Sequence, residues 1–183
     1  MLPIGHLQLD IRYDFEPPLL DDAEFPQCLA SIALSEDLRA VLISNGQPLT
    51  QGQVVSLGSN VISLWDLAGE TTAQTQVRVR PHCIDGLELT TDQGSAISWL
   101  AHPHPFWLLN SHLEAILGGR VVYFAPTSRL LVATRESSLG FQQLCTWAAS
   151  THSNAGSEKL FPYGLVYQGG FPQSYTKEVS SAH

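Results

Sequence analysis

Residues 7 to 15, LQLDIRYDF, alternate without a fault. Leu7, Leu9, Ile11, Tyr13 and Phe15 fall on one side, and Gln8, Asp10, Arg12 and Asp14 on the other. A period of two predicts a half-buried strand. The proline-rich EPPLLDD ends it, and Pro26 suits the first turn of a short helix within residues 25–37, FPQCLASIALSED. From Leu38 to Leu89 the pattern predicts a series of strands. LRAVLIS precedes Asn45-Gly46, QVVSL precedes Gly58-Ser59-Asn60, and VISLWDL precedes Ala68-Gly69. TQVRVRP follows, alternating Val77 and Val79 with Arg78 and Arg80, and GLELT adds one more short strand. Asn-Gly is the strongest hairpin signal here, because a tight turn demands the positive φ angles these residues adopt most readily.

Beyond Leu89 the period changes. Asp92 is placed to cap a helix through about Ala101, with Ile97 and Leu100 facing inward, and Pro103 forces a stop near His102. Pro105 opens a second helix that runs to Leu117 and ends at Gly118-Gly119. Its inner face is Phe106, Leu109, Leu113, Ile116 and Leu117, with Trp107, Ser111 and Glu114 on the opposite side. A strand from Val121 to Ala125, a turn at Pro126-Thr127-Ser128 and a strand from Leu130 to Thr134 come next. A helix capped by Ser137 or Ser138 then places Phe141, Leu144, Cys145 and Ala148 at i, i+3, i+4 and i+7. HSNAGSEK reads as a loop, LFPYGLVYQ as the final strand and SYTKEVSSAH as a loose tail. The expected architecture is a single α+β domain over residues 1–173, followed by a flexible tail, 174–183. A strand-rich amino-terminal half packs with a carboxy-terminal helix, helix, strand, strand, helix, strand unit.

Composition narrows the class. A chain of 183 residues buries roughly 70% of the surface its unfolded form exposes, enough for one core. With 44% hydrophobic and 14% charged residues it is not a disordered chain, and no apolar run approaches the roughly 20 residues a bilayer requires. The start, MLPIGHLQLDIRYDF, carries no secretory pattern, so a cytoplasmic location is expected. Cys28, Cys83 and Cys145 are far apart, odd in number and form no CxxC pair, which predicts reduced thiols. The formal charge of −8 is unevenly placed: Asp10, Asp14, Glu16, Asp21, Asp22 and Glu24 face the single cation Arg12. Such a field repels phosphate backbones and attracts basic partners, although charge runs most often form only a solvated edge.

Candidate chemistry centres on AHPHPFWLL, residues 101–109. In a polyproline-like conformation His102 and His104 point some 120° apart, and no third ligand lies at local spacing, so punctuation between two helices is the expected role. Cys83 follows His82, with Asp85 two residues on, yet strand neighbours point to opposite faces, so His82 would need a bend to reach the thiol. HLE at 112–114 lacks the Pro-Cys-x-x-Cys pair a zinc deaminase needs. No HExxH, P-loop, GxSxG, GxGxxG or EF-hand pattern is present. Trp107 differs in kind: a tryptophan on the polar side of a helix is either covered by the chain or available to a partner.

An ordered series of elements carries one family resemblance. DGLELTTDQGSAISWL, a helix closing on LGG, RVVYFAPTSR, LLVAT, a further helix and LFPYGLVYQ run from about Asp85 to Gln168. This pattern resembles the YtpQ-like family of uncharacterised bacterial proteins over less than half of the chain. The resemblance implies an α+β fold and a bacterial source, and it transfers no activity and no site residue.

These observations predict a non-catalytic, cytoplasmic protein-binding protein without a cofactor: an inhibitor, immunity protein or adaptor that meets a basic protein through Asp10, Asp14, Glu16, Asp21, Asp22 and Glu24. Trp107 is a separate anchor, nucleic acid and membrane are not expected partners, and a homo-oligomer is compatible with this reading. The alternatives are a hydrolase, metal-dependent or not, built on His102 and His104 with Cys83 or Asp85, and a secretion chaperone for an effector.

Overall fold

A computed structural model describes residues 7–13 and 23–176 of the chain. The alternation that starts at Leu7 forms strand β1 (Leu7–Tyr13), with Leu7, Leu9 and Ile11 buried. Asp14 and Phe15, the rest of the expected strand, lie outside the described residues. The helix expected within 25–37 shrinks to a 3-10 turn, Phe25–Gln27, with Pro26 in its first turn. Residues beyond it form β2 (Ser31–Ala33), because β3 (Leu38–Ser44) offers them an antiparallel edge from Arg39 to Val41. Asn45 and Gly46 take φ angles of 52° and 76° and turn β3 back onto β4 (Gln47–Pro48), as Asn-Gly predicts. The resulting sheet has the order β1-β3-β2, with β4 also on β3.

The next two expected strands, QVVSL and VISLWDL, are helices instead: α1 (Gln51–Ser56) and α2 (Val61–Ala73). Their starts explain the correction. The Thr50 hydroxyl accepts from the Gln53 amide at 3.3 Å while the Gln53 side chain accepts from the Thr50 amide at 2.8 Å, a reciprocal capping box. Asn60 caps α2 by accepting from the Ser63 amide at 2.9 Å. In α2 the buried Leu64, Ala68 and Thr72 recur every four residues and lie on β1, so helical burial outweighs the strand preference of Val and Ile.

The remaining elements are β5 (Val77–Pro81), β6 (Leu87–Thr91), α3 (Pro103–Leu117), β7 (Val121–Thr127), β8 (Leu130–Arg135), α4 (Phe141–Asn154), β9 (Gly164–Gln168) and β10 (Phe171–Ser174). Their six strands pair antiparallel in the order β10-β9-β7-β8-β6-β5. The helix expected after Asp92 is a buried 3-10 helix, Ala96–Leu100, capped by Ser95, because the Asp92 side chain instead accepts from the Gln76 amide at 3.0 Å. α3 starts at Pro103, not Pro105, and ends on Gly118 at φ 72°. Ile116, expected inside, is half-exposed, since the covered stripe follows Phe106, Leu109, Asn110 and Leu113. Gly140, not Ser137 or Ser138, precedes α4, because the Ser138 hydroxyl turns to Asp85.

β7 is buried on both faces, which its unbroken apolar run VVYFAP reflects. Val121, Tyr123 and Ala125 join the main core with α2, α3 and the inner side of the first sheet. Val122 and Phe124 face a smaller cluster with Leu144 and Ala148 of α4. Because the main cluster draws on both sheets, one core unites the two halves. Ser174 and Tyr175 fall in the expected tail yet belong to the domain: Ser174 pairs with Leu165, and the Tyr175 ring packs on Phe141. The rest of the tail, from residue 177, lies outside the described residues.

Candidate docking groove and histidine junction

The histidine junction is helical, not polyproline-like, because Pro103 occupies the first turn of α3 and His102 is its N-cap. His102 Nδ1 accepts from the His104 amide at 3.2 Å, which leaves the ring proton on Nε2 to donate to Asp66 Oδ1 at 3.3 Å. Both nitrogens are thereby engaged. The ring is buried against Trp65, centroids 4.4 Å apart, and the Trp65 indole N–H donates to the Ala101 carbonyl at 2.7 Å. His104 is half-exposed and pairs through Nδ1 with Glu70 Oε1 at 2.8 Å. Asp66 and Glu70 stand four apart on one face of α2, a relation that a strand ending at Leu67 does not provide. The four residues form two separate pairs, and the described residues contain no group of three or more His, Cys, Asp or Glu placed to hold a metal ion.

The second candidate cluster is rearranged by a bend after β5. That bend brings Cys83 Sγ within 3.9 Å of His82 Nε2, a contact that an extended chain would not allow. Asp85 does not complete a chain of three, because it turns the other way. Its Oδ2 accepts from the Ser138 hydroxyl and from the Gly140 amide at 2.9 Å, and its Oδ1 accepts from the Gly86 amide at 2.6 Å. The Ser138 hydroxyl, then the two amides and the Arg135 charge, hold this carboxyl below its usual range against some desolvation. The cluster therefore fastens the β5–β6 loop to the start of α4, while His82 rests on Trp147 at 4.6 Å. Cys145 lines a separate hollow between α4 and β9, where burial pushes its thiol up. The three cysteines are free thiols, and only Cys83 among them is exposed.

A groove between α3 and β5 is one feature whose apolar lining the fold leaves open. Val77, Val79, Trp99, Leu108, Leu109 and His112 line about 240 Å³. Trp99 satisfies its indole N–H on Thr75 Oγ1 at 3.1 Å and so presents hydrocarbon to the groove. Val79 is 43% and Leu108 36% exposed in this lining, and Trp107 of the same helix, outside the lining, is 54% exposed. Val79 and Leu108 thus face solvent within one concave site, at the sheet edge where, among the described residues, β5 pairs only with β6. Trp107 lies on the outer face of α3, as its helical phase predicts. The groove itself required β5 and α3 to meet in space, and its local signal in the sequence is the Val77 and Val79 alternation.

Of the six candidate carboxylates, Asp10 and Glu24 are described, and Asp14, Glu16, Asp21 and Asp22 lie outside the described residues. Asp10 is half-buried on β1, where it meets Arg12 at 3.3 Å, and Glu24 is exposed before the 3-10 turn. The described residues contain no helix long and apolar enough to cross a membrane. No family model, curated protein or solved structure matches this chain.

Proposed function

We propose that this chain is a non-catalytic protein-recognition module whose docking site is the groove between α3 and β5, with Trp107, exposed on the same helix α3, as a separate anchor. The exposure of Val79 and Leu108 in one apolar concavity, with Trp107 exposed on the same helix, carries this reading. Rigid aromatics, here Trp99 in the groove wall and Trp107 on the helix that forms its other side, are enriched at interface centres, where a few residues supply most of the affinity. The hydrolase alternative has less support: His102 has no lone pair free to take a proton, and Asp85 is turned away from His82 and Cys83. Inhibitor, immunity protein and adaptor are members of the class proposed, and an effector chaperone is a separate alternative.

A second reading rests on the charge of −8 and the exposed Glu24: the acidic stretch from Asp10 to Glu24 meets a basic protein. One experiment separates the two. Partners captured from the native host are compared for the wild type, Trp107→Ala and the double reversal Asp21→Lys/Asp22→Lys. Groove recognition predicts that Trp107→Ala weakens the complex at least about 30-fold while the reversal leaves it within a few-fold. Loss on reversal, with Trp107→Ala neutral, supports the acidic surface, and a complex indifferent to all three changes refutes both.

A further inference from the structure

We infer that the groove receives an extended acidic segment of a partner, which adds to the open edge of β5 as a seventh strand; this rests on the recognition reading above. The phase of the backbone supplies the first support. The Gln76 carbonyl accepts from the Asp92 amide at 3.3 Å and the His82 amide donates to the Gly86 carbonyl at 3.0 Å. The even-numbered residues 76 to 82 therefore direct their backbone groups to β6, across an unshifted register from Val77–Thr91 to Pro81–Leu87. Val77 and Val79 direct theirs to the open edge, where an added strand would take them up. Their side chains line the groove. One added strand can thus satisfy the edge amides and fill the groove with alternate apolar side chains.

Charge selects the occupant. Arg78 and Arg80 project from the other face of β5, and both are exposed. Arg80 pairs with Glu88 at 2.5 Å, while Arg78 has no ion pair among the described residues. A residue opposite Arg78 on the added strand sits in a non-hydrogen-bonded pair, the closer of the two cross-strand spacings, so a carboxylate there is favoured and a cation opposed. The same arginines disfavour a second copy of this chain. Two-fold antiparallel pairing centred on Arg78, Val79 or Arg80 keeps the valines on the groove side and sets arginine against arginine. The edge is closed to self and open to an extended segment that alternates apolar and acidic residues.

The test uses the full chain, labelled with nitrogen-15, and two synthetic peptides, one alternating valine with glutamate and one alternating valine with lysine. The proposal expects the glutamate peptide to shift the signals of Val77 to Pro81 and Leu108 to His112. It also expects slower exchange at the Val77 and Val79 amides, with those of Arg78 and Arg80 unchanged. The lysine peptide should bind at least about five-fold more weakly, and Arg78→Glu should reverse the preference. Methylating the peptide amides that face β5 should abolish binding. Equal binding of the two peptides, or of the methylated one, overturns the proposal, as does a free protein that sediments as a dimer with the Val77 and Val79 amides already protected. Failure of both peptides, while a captured partner still depends on Trp107, overturns the strand-addition inference and leaves groove recognition standing.

Discussion

At Gly69, helix propensity and packing make opposite predictions. Alanine in the interior of α2 gains roughly 0.5–1 kcal/mol over glycine from propensity alone. A methyl there would stand 2.3 Å from Cγ, 2.5 Å from Cδ2 and 2.6 Å from Nδ1 of His102. The imidazole has no free direction of retreat, because Trp65 stacks on it, Asp66 holds Nε2 and the His104 amide holds Nδ1. Overpacking a closed site costs about 1–3 kcal/mol, and displacing an N-cap a further 0.5–2 kcal/mol or so. Packing wins, and Gly69→Ala is expected to destabilise by about 1–4 kcal/mol, or about 2–4 °C in Tm for each kcal/mol at this size. Urea unfolding of wild type, Gly69→Ala, His102→Ser and the double variant measures the coupling. Serine at 102 retains a capping oxygen and removes the ring, so in that background Gly69→Ala should be neutral or stabilising. A single Gly69→Ala variant as stable as wild type, or more so, would refute the close approach of α2 to the junction.

Three further outcomes follow from the same geometry. Asp85→Asn should lower stability by about 1–3 kcal/mol at neutral pH, since a charged acceptor is lost from three hydrogen bonds. The folded-state pKa of Asp85 is depressed, so its contribution is full above the ordinary aspartate value and fades as pH falls toward the lowered one; unfolding midpoints of wild type and variant should therefore converge in acid, and a gap independent of pH would contradict the assignment. Tyr123→Phe removes the hydroxyl that donates to Asn110 Oδ1 at 3.0 Å and leaves a buried acceptor unpaired, so chemical denaturation should show a loss of about 1–3 kcal/mol. With a maleimide under native conditions Cys83 should react first and Cys145 slowly, because burial disfavours the Cys145 thiolate; the reverse order on mass mapping of the labelled peptides would contradict that assignment.

How legible the fold was depends on which interactions set each element. β1, the Asn45-Gly46 turn, the doubly buried β7 and the inner residues of α4 rest on local patterns, so alternation, turn chemistry and four-residue spacing predict them. The pattern in α1 and α2 resembles strands because Val54-Val55 and Val61-Ile62 are β-branched pairs in short apolar runs. Their helical signals were nonetheless present in Thr50 with Gln53, in Asn60, and in Leu64, Ala68 and Thr72. The meeting of Asp66 and Glu70 with His102 and His104 depends on α2 being a helix laid beside α3.

By itself the sequence determined an α+β chain of mixed strands and helices, the outward phase of Trp107 and the punctuating role of the prolines around His102, because each depends on residues within a turn or two of one another. Only the tertiary structure decided that β5 lies at a sheet edge beside α3, that both junction histidines meet carboxylates, and that Asp85 serves α4 instead of His82. These pairings join residues more than 20 positions apart, and burial of a shared core, which no local window contains, is what selects them.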